Sequence, residues 1–314
     1  MDKSTQGLVQ WIKDLYASGA KLWTKEMLSD IEAELAQNPV PKTISIRSIR
    51  SQLDLDCTKV SSKEQSKDEI QTLATRGVKI CFSTFSKSNA EYSKVQQSWV
   101  QAQQNWLNSS LCKELSEIIG STVDKSRAVT KIVCFGLGSL ARSIEDPIHI
   151  ADDGLPVHGP GTQHAAALTL STILGERLGR GPIPVMVRDP AYSEADKRIL
   201  EKVGIEVIGG FGSLGFTYVD EETIVFSCHP NIPVRQITAD IAKPAAMIWN
   251  KGRFSEEKAE YKVFTRQGKE VLSTPYFTDH DSPRTAKLLQ DYDEFEFPNC
   301  HSRFGDLAIY VRKR

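Results

Sequence analysis

Residues 129–140, VTKIVCFGLGSL, constrain the fold of this chain more than any other stretch. Residues 132–135 form a continuous apolar run with β-branched members, which is typical of a strand buried on both faces in a parallel sheet. Gly136 and Gly138 follow at once, so the backbone can turn tightly and approach a bound group. Because ligands of open α/β sheets bind at the carboxyl ends of the strands, the turn marks the place of a candidate site.

Strands and helices alternate after this turn. Further apolar runs at residues 185–187, 205–208, 223–227 and 245–249 are separated by segments with helical periodicity. Such alternation predicts a parallel sheet with helices on both faces, and right-handed crossovers place the strand order near 3-2-1-4-5. The predicted fold class is therefore α/β, a Rossmann-like three-layer fold with a mostly parallel sheet.

The two ends of the chain differ from this core. We predict an N-terminal helical and β arm over residues 1–90, a core over residues 91–255, and a small C-terminal β extension over residues 256–314 that packs on the core. Within the core, residues 91–119 have the spacing of one long helix that ends before Gly120.

Two candidate strands lie in the predicted arm. Residues 43–49 alternate apolar and polar side chains, and residues 78–85 form a second short β-type run. The two either pair as a satellite hairpin or join the main sheet.

The connection at residues 141–162 is 22 residues long, whereas a βα loop in a compact fold usually has about 2–6 residues. It is a lid, a partner surface or a flexible insertion. Side chains in or just after it could ligate a metal: His149, Asp152, Asp153, His158 and His164. Their spacing fits no zinc signature, so we predict no metal site.

The candidate ligand-binding residues are Gly136, Gly138, Ser139, Asp189 and Asn231. The glycine turn can present backbone N–H groups to a nucleotide or to S-adenosylmethionine. An acid at the end of the second strand, the place of Asp189, accepts hydrogen bonds from ribose hydroxyls in such sites. Asn231 can cap the next helix and touch a ligand. The alternative interpretation is structural, with a tight turn and an Asp that opens a turn before a proline.

Cys228 and His229 follow the fourth strand of the alternation and are weak catalytic candidates. They could act as nucleophile and base, or one of them could ligate a metal or haem. Adjacent residues on an extended strand point to opposite faces, which argues against direct action of one on the other.

Three motifs in this order resemble the SRR1-like proteins, a family named for reduced sensitivity to red light. They are Cys-Phe-Gly-Leu-Gly-Ser at residues 134–139, Asp-Pro at residues 189–190 and Cys-His-Pro at residues 228–230. The family's third motif has His before Cys, so that pair is transposed here. The resemblance spans roughly residues 90–255, is to a fungal-type member, and extends to residues 297–311, which resemble the family's last strand.

The resemblance implies a cytoplasmic and nuclear protein with protein partners and a regulatory role, including clock and light responses in plants. It implies no established reaction. A haem link through a Cys-Pro dipeptide does not carry over, because Pro230 follows His229 here.

The composition of the chain argues against several classes of function. Net charge is −1, and 40% of the residues are hydrophobic, so no global field attracts the protein to nucleic acid or to an anionic membrane. No apolar run approaches the roughly 18 residues of a membrane span, and the first residues lack a secretory signal core. The six cysteines are scattered without a CxxC pair, which favours a reducing compartment. We expect a cytoplasmic protein that also reaches the nucleus.

Three functional hypotheses remain. The first is an SRR1-like regulatory protein whose crevice binds a nucleotide-like small molecule. The second is a methyltransferase-like enzyme that depends on S-adenosylmethionine or NAD(P). The third is a haem or metal sensor that uses Cys228 or His229. Because the sequence presents no convincing acid–base or nucleophile pair, we favour the regulator, and enzymatic activity stays open.

Overall fold

The computed structural model describes residues 14, 18–19, 21, 23–37, 43–47, 52–56, 88–123, 128–141, 144, 159–228, 230, 232–252, 262–266, 269–273, 279, 281–298 and 301–314. Its helices are α1 (Lys25–Leu35), α2 (Tyr92–Leu107), α3 (Ser110–Thr122), α4 (Gly159–Arg177), α5 (Glu194–Lys202), α6 (Leu214–Thr217), α7 (Val234–Ile241), α8 (Pro283–Leu289) and α9 (His301–Phe304). Its strands are β1 (Thr43–Arg47), β2 (Gln52–Asp56), β3 (Lys131–Phe135), β4 (Val185–Arg188), β5 (Ile205–Val207), β6 (Thr223–Ser227), β7 (Ala246–Asn250), β8 (Lys262–Arg266), β9 (Lys269–Ser273), β10 (Tyr292–Glu296) and β11 (Leu307–Arg312).

A seven-stranded sheet forms the centre, in the order β10-β11-β7-β6-β3-β4-β5. Strands β5, β4, β3, β6 and β7 are parallel to one another. β11 is antiparallel to both β7 and β10, and it lies between them. Numbered by appearance within this sheet, the order is 3-2-1-4-5-7-6, so the predicted order 3-2-1-4-5 is confirmed, and strands from the C-terminal part of the chain extend the sheet beyond it.

Helices cover both faces of the sheet, because successive side chains of a strand point to opposite faces. Ile132 and Cys134 of β3 belong to an apolar core that includes residues of α2, α3, α4 and α5. Val133 and Phe135 belong to a second core that includes residues of α1, α6, α7 and α8. The predicted three-layer Rossmann-like fold is confirmed.

The single long helix predicted over residues 91–119 is wrong. The helix breaks after Leu107, and Ser109 caps a new helix by accepting a 3.1 Å hydrogen bond from the Cys112 N–H. Serine competes with the helix backbone for such bonds, and this explains a break that the apolar periodicity concealed. The break lets α2 and α3 pack separately on α4, with Trp106 Nε1 donating to Thr169 Oγ1 at 2.9 Å.

Strands β1 and β2 form a separate two-stranded antiparallel sheet. The predicted strand at residues 43–49 is thus confirmed, but its partner is Gln52–Asp56, and the predicted strand at residues 78–85 lies outside the described residues. In the part of the chain that the structure describes, no helix has the length and apolarity to cross a membrane.

Candidate functional site

The candidate residues after β3 and β4 meet at the carboxyl edge of the sheet. The Gly138 N–H donates a 2.9 Å hydrogen bond to Asp189 Oδ2, which joins the glycine turn to the acid at the end of β4. The Gly136 N–H donates to the Arg188 carbonyl at 3.3 Å. The sequence hypothesis that these strand ends converge on one place therefore agrees with the geometry for Gly136, Gly138 and Asp189.

Gly136 sits where only a glycine fits. Its φ is +68°, and a Cβ at this position would lie 2.9 Å from Pro230 Cα and 3.3 Å from the Cys228 carbonyl oxygen. A positive φ is strained for other residues, and a backbone atom at 2.9 Å cannot move aside easily. The turn after β3 therefore packs directly against the chain that leaves β6.

Gly138 has the same backbone requirement, with a φ of +76°. A Cβ there would lie 3.0 Å from Pro160 Cγ in the first turn of α4. Its N–H is already used by Asp189, so this N–H holds the loop and does not face a ligand phosphate.

Asp189 is nearly buried, and both of its oxygens accept backbone N–H groups. Oδ2 binds Gly138 as described, and Oδ1 accepts from Ala191 at 2.9 Å. Burial raises the pKa of this carboxyl group, and the two N–H bonds and the nearby Arg188 charge oppose that rise. Because a carboxylate has about four acceptor positions, Asp189 keeps capacity for a further donor such as a ribose hydroxyl.

Ser139 is held by a carboxylate that was not among the predicted site residues. Asp196, in the first turn of α5, is fully buried and accepts from Ser139 Oγ and from the Ala141 N–H, both at 2.8 Å. It also forms a capping box with Ser193 at the start of α5. The Ser-x-x-Asp spacing is a sequence signal for the cap, but the bonds across to residues 139–141 depend on tertiary structure.

A buried His–Tyr pair lies beneath the same loop. His164 in α4 contacts the Pro160 carbonyl through Nδ1 at 2.6 Å and the Tyr192 hydroxyl through Nε2 at 2.7 Å. A carbonyl only accepts, so Nδ1 carries the proton and Tyr192 donates to Nε2. Burial lowers the pKa of His164 to about 4 and raises that of Tyr192. Both groups are therefore neutral at physiological pH.

The environment of Cys228 does not suit a nucleophile. Cys228 and Cys134 are free, buried thiols, and burial raises the pKa of both. The thiolate is the form that attacks or binds metal and haem, so this environment does not fit a cysteine-ligated haem. His229 and Asn231 lie outside the described residues.

The predicted absence of a metal site concerns mostly residues that the structure leaves undescribed, namely His149, Asp152, Asp153 and His158. His164 points into the core, as described above. Over the residues that are described, no three His, Cys, Asp or Glu side chains group together as metal ligands would.

A second carboxylate, which the sequence did not predict as a site residue, contacts the loop that follows β5. Glu32 of α1 accepts hydrogen bonds from the N–H groups of Phe211, Ser213 and Leu214. Arg188 donates to the Gly210 carbonyl of the same loop at 3.1 Å. A glutamate on one face of a helix carries no sequence signal that would reveal a partner about 180 residues away.

These features define a Rossmann-like α/β protein in which a glycine turn and strand-end carboxylates meet at the carboxyl edge of the sheet. A family model, the SRR1 domain, matches residues 111–311. The match covers more than half of the chain, so the chain belongs to the SRR1 family. It extends across the central sheet as far as residue 311 of β11, whereas α1 and α2 lie before it. No curated protein and no solved structure matches the chain.

Proposed function

We propose that this SRR1-family protein is a regulatory protein whose crevice at the carboxyl edge of the sheet binds a nucleotide-like small molecule. The observation that carries the proposal is the hydrogen bond between the Gly138 N–H and Asp189 Oδ2. It fixes a turn without side chains at Gly136 and Gly138 beside an acid that keeps acceptor capacity. Such an arrangement suits a ribose, whose hydroxyls would donate to the acid at the end of β4.

The same geometry favours binding over chemistry. Besides the carboxylates, the described groups near the turn that have nucleophilic or acid–base potential include the thiol of Cys228, the phenol of Tyr192 and the imidazole of His164. All three are buried, and burial shifts each pKa toward the neutral form. Neutral, water-excluded groups of this kind hold a fold together and leave a bound ligand intact. Action in the cytoplasm and nucleus through protein partners belongs to the same proposal and follows from the family resemblance.

The test is ligand-dependent stability of the full chain, with S-adenosylmethionine, NAD and NADP as probes. A ligand at about 100 times its dissociation constant stabilises the folded state by about 2.7 kcal/mol. Asp189→Asn removes the charged acceptor, and charged hydrogen bonds contribute about 1.5–3 kcal/mol, so affinity should fall about tenfold or more.

The matched control is Asp220→Asn. Asp220 also accepts a backbone N–H and binds Lys131 Nζ at 2.6 Å, but it lies at the amino ends of β3 and β6, on the opposite edge of the sheet. Its variant should keep the ligand response. If none of the three probes stabilises the wild-type chain, or if both variants respond alike, the crevice is not the site.

The methyltransferase-like enzyme is the second candidate, and the strand order favours it. The parallel strands in the order 3-2-1-4-5 form the kind of doubly wound sheet whose carboxyl edge binds adenine nucleotides, and S-adenosylmethionine carries the same adenosine group. This is a similarity of fold, and a fold supports many functions. Stabilisation by S-adenosylmethionine and S-adenosylhomocysteine, with no response to NAD or NADP, would support this alternative over a general nucleotide-like ligand.

A further inference from the structure

Helix α1 lies before the SRR1-matched residues, yet one of its side chains is held by the core through four hydrogen bonds. Glu32 Oε1 accepts from the Ser213 N–H at 2.7 Å, the Leu214 N–H at 2.8 Å and Ser213 Oγ at 2.9 Å. Glu32 Oε2 accepts from the Phe211 N–H at 2.7 Å. Hydrogen bonds to a charged acceptor of this kind are about twice as strong as neutral ones.

The loop at residues 209–214 has a backbone conformation that accommodates the Glu32 carboxylate. Gly210 has a φ of +79°, and a Cβ there would lie 2.6 Å from Glu32 Oε2, so a side chain at this position would displace the Glu32 carboxylate. Burial lowers the pKa of Arg188, and the Glu32 charge is the largest effect that opposes this shift. Loop and charge are therefore complementary to an acidic residue.

Apolar contacts accompany the polar ones. Leu28, Ile31 and Leu35 are buried, and with Glu32 they occupy one face of α1 at helical spacing. Leu28 belongs to the same core cluster as Ile208, Phe216 and Val219 around α6, and it is 2% exposed. The face of α1 thus presents the pattern Leu-x-x-Ile-Glu-x-x-Leu to the core.

Helix α1 and the residues just before it contact two elements of the core, helix α7 and the loop that precedes α6. Its leading end is fixed by the Trp23 N–H, which donates to Asp240 Oδ2 of α7 at 2.9 Å. Its middle is fixed by Glu32 at the loop before α6. In the described part of the β5–β6 connection the helix is only Leu214–Thr217, so α1 covers a part of the second core that a longer crossover helix would otherwise cover.

Residues 36–91 separate α1 from α2. The hydrogen bonds to Glu32 and the apolar contacts of Leu28 are made at the surface itself, so docking depends on these contacts. Another helix that carried the same apolar and acidic pattern would meet the same donors.

We propose that the surface beneath α1, formed by residues 208–219 with Arg188, is a docking site for an acidic amphipathic helix, and that α1 is its occupant within this chain. Glu32 is the positioning residue that the surface recognises. The partner chemistry is the pattern of α1 itself, an apolar stripe of Leu and Ile in which a Glu directly follows the Ile.

Hydrogen exchange of the full chain tests the docking. Glu32→Gln keeps the size of the side chain but removes the charge. Exchange of the α1 amides should become at least about tenfold faster than in the wild type, because the hydrogen bonds to a charged carboxylate are lost or weakened. Asp30→Asn, an exposed acid on the same helix, is the matched control and should leave exchange unchanged. Equal exchange in the two variants would overturn the proposal.

A labelled peptide of residues 23–37 tests recognition by another helix, with fluorescence anisotropy as the readout. The peptide should bind the full-length Glu32→Gln chain at least about tenfold more tightly than the wild-type chain, whose own α1 occupies the surface. A peptide that itself carries Glu32→Gln should bind at least about tenfold more weakly. If Glu32→Gln impairs folding, the full-length Leu28→Ala chain replaces it. Equal binding of both peptides, or no binding to an α1-weakened chain, would disprove the docking site.

Discussion

At the scale of single residues, buried carboxylates hold the loops at the carboxyl edge of the sheet. Asp189 accepts backbone N–H groups of residues 138 and 191, Asp196 those of residues 141 and 193, and Glu32 those of residues 211, 213 and 214. Loop N–H groups have no strand or helix partner, and leaving them unpaired inside the protein costs free energy. Acidic side chains therefore act here as structural acceptors, which is why their type alone did not reveal their role.

His164 should make stability depend on pH. Its pKa is lowered by burial from 6.5 to about 4 in the folded state. Between these values the unfolded chain binds a proton that the folded chain does not, so acidification destabilises the fold from pH 6.5 downward and the effect levels off below about 4. Between about pH 7 and about pH 5 the loss from this group is on the order of 2 kcal/mol.

The measurement for His164 is urea denaturation of the wild type and of His164→Asn across this pH range. The variant should be less stable overall and should show a smaller loss on acidification. Asp279 contributes with the opposite sign, because burial raises its pKa to about 6, but it is present in both chains and cancels in the difference. A parallel pH dependence of the two proteins would contradict a neutral, buried His164.

At the scale of elements, the site depends on how tightly the turn after β3 packs against the segment that leaves β6. Two constraints act on the first glycine of this turn, Gly136. One is its positive φ, and the other is the lack of room for a Cβ. Gly136 has both constraints, whereas Gly179, after α4, has a φ of +67° and no atom within 4 Å of the position that a Cβ would take. The pair therefore distinguishes backbone strain from steric exclusion within one protein.

Gly136→Ala should destabilise the chain more than Gly179→Ala. The left-handed backbone costs both variants about 1–2 kcal/mol. Gly136→Ala must in addition displace Pro230, whose Cα would lie 2.9 Å from the new methyl group, and overpacking of this kind costs about 1–3 kcal/mol more. Chemical denaturation of both variants measures the difference. Equal losses would show that the turn can move away from Pro230.

At the scale of the whole molecule, the sequence predicted the parallel half of the sheet better than its antiparallel edge. The apolar runs at β3, β6 and β7 are continuous because both faces are buried, so their type and order were predictable. β10 was missed because Tyr292 is buried while residues 293, 294 and 296 are exposed, as suits an edge strand. Its assignment depends on β11, a partner that follows later in the chain.

The residues of the candidate site also divide into those that the sequence predicted and those that it did not. Gly136, Gly138 and Asp189 could be predicted because local turn chemistry places them at strand ends. Asp196 and Glu32 could not, because the donors they bind are brought to them only by the packing of α5 and α1 on the sheet. Residues that join distant parts of the chain leave no local pattern in the sequence.

The chain should tolerate loss of its last two residues but not of its last strand. β11 hydrogen-bonds to β7 on one side and to β10 on the other, and Ala308, Ile309 and Tyr310 are buried within it. Deleting residues 307–314 would leave β10 without a partner and one side of β7 unpaired, and it would open both cores. We therefore expect no cooperative thermal unfolding by circular dichroism. Deleting Lys313 and Arg314 removes bonds at the surface, among them the 2.8 Å bond from the Lys313 N–H to the Asp291 carbonyl and the 2.9 Å bond from Lys313 Nζ to the Gln290 carbonyl, a loss of about 1 kcal/mol. A cooperative transition in the longer deletion would mean that the parallel strands fold without the reversed strand, and that β11 is an addition to the fold instead of part of its core.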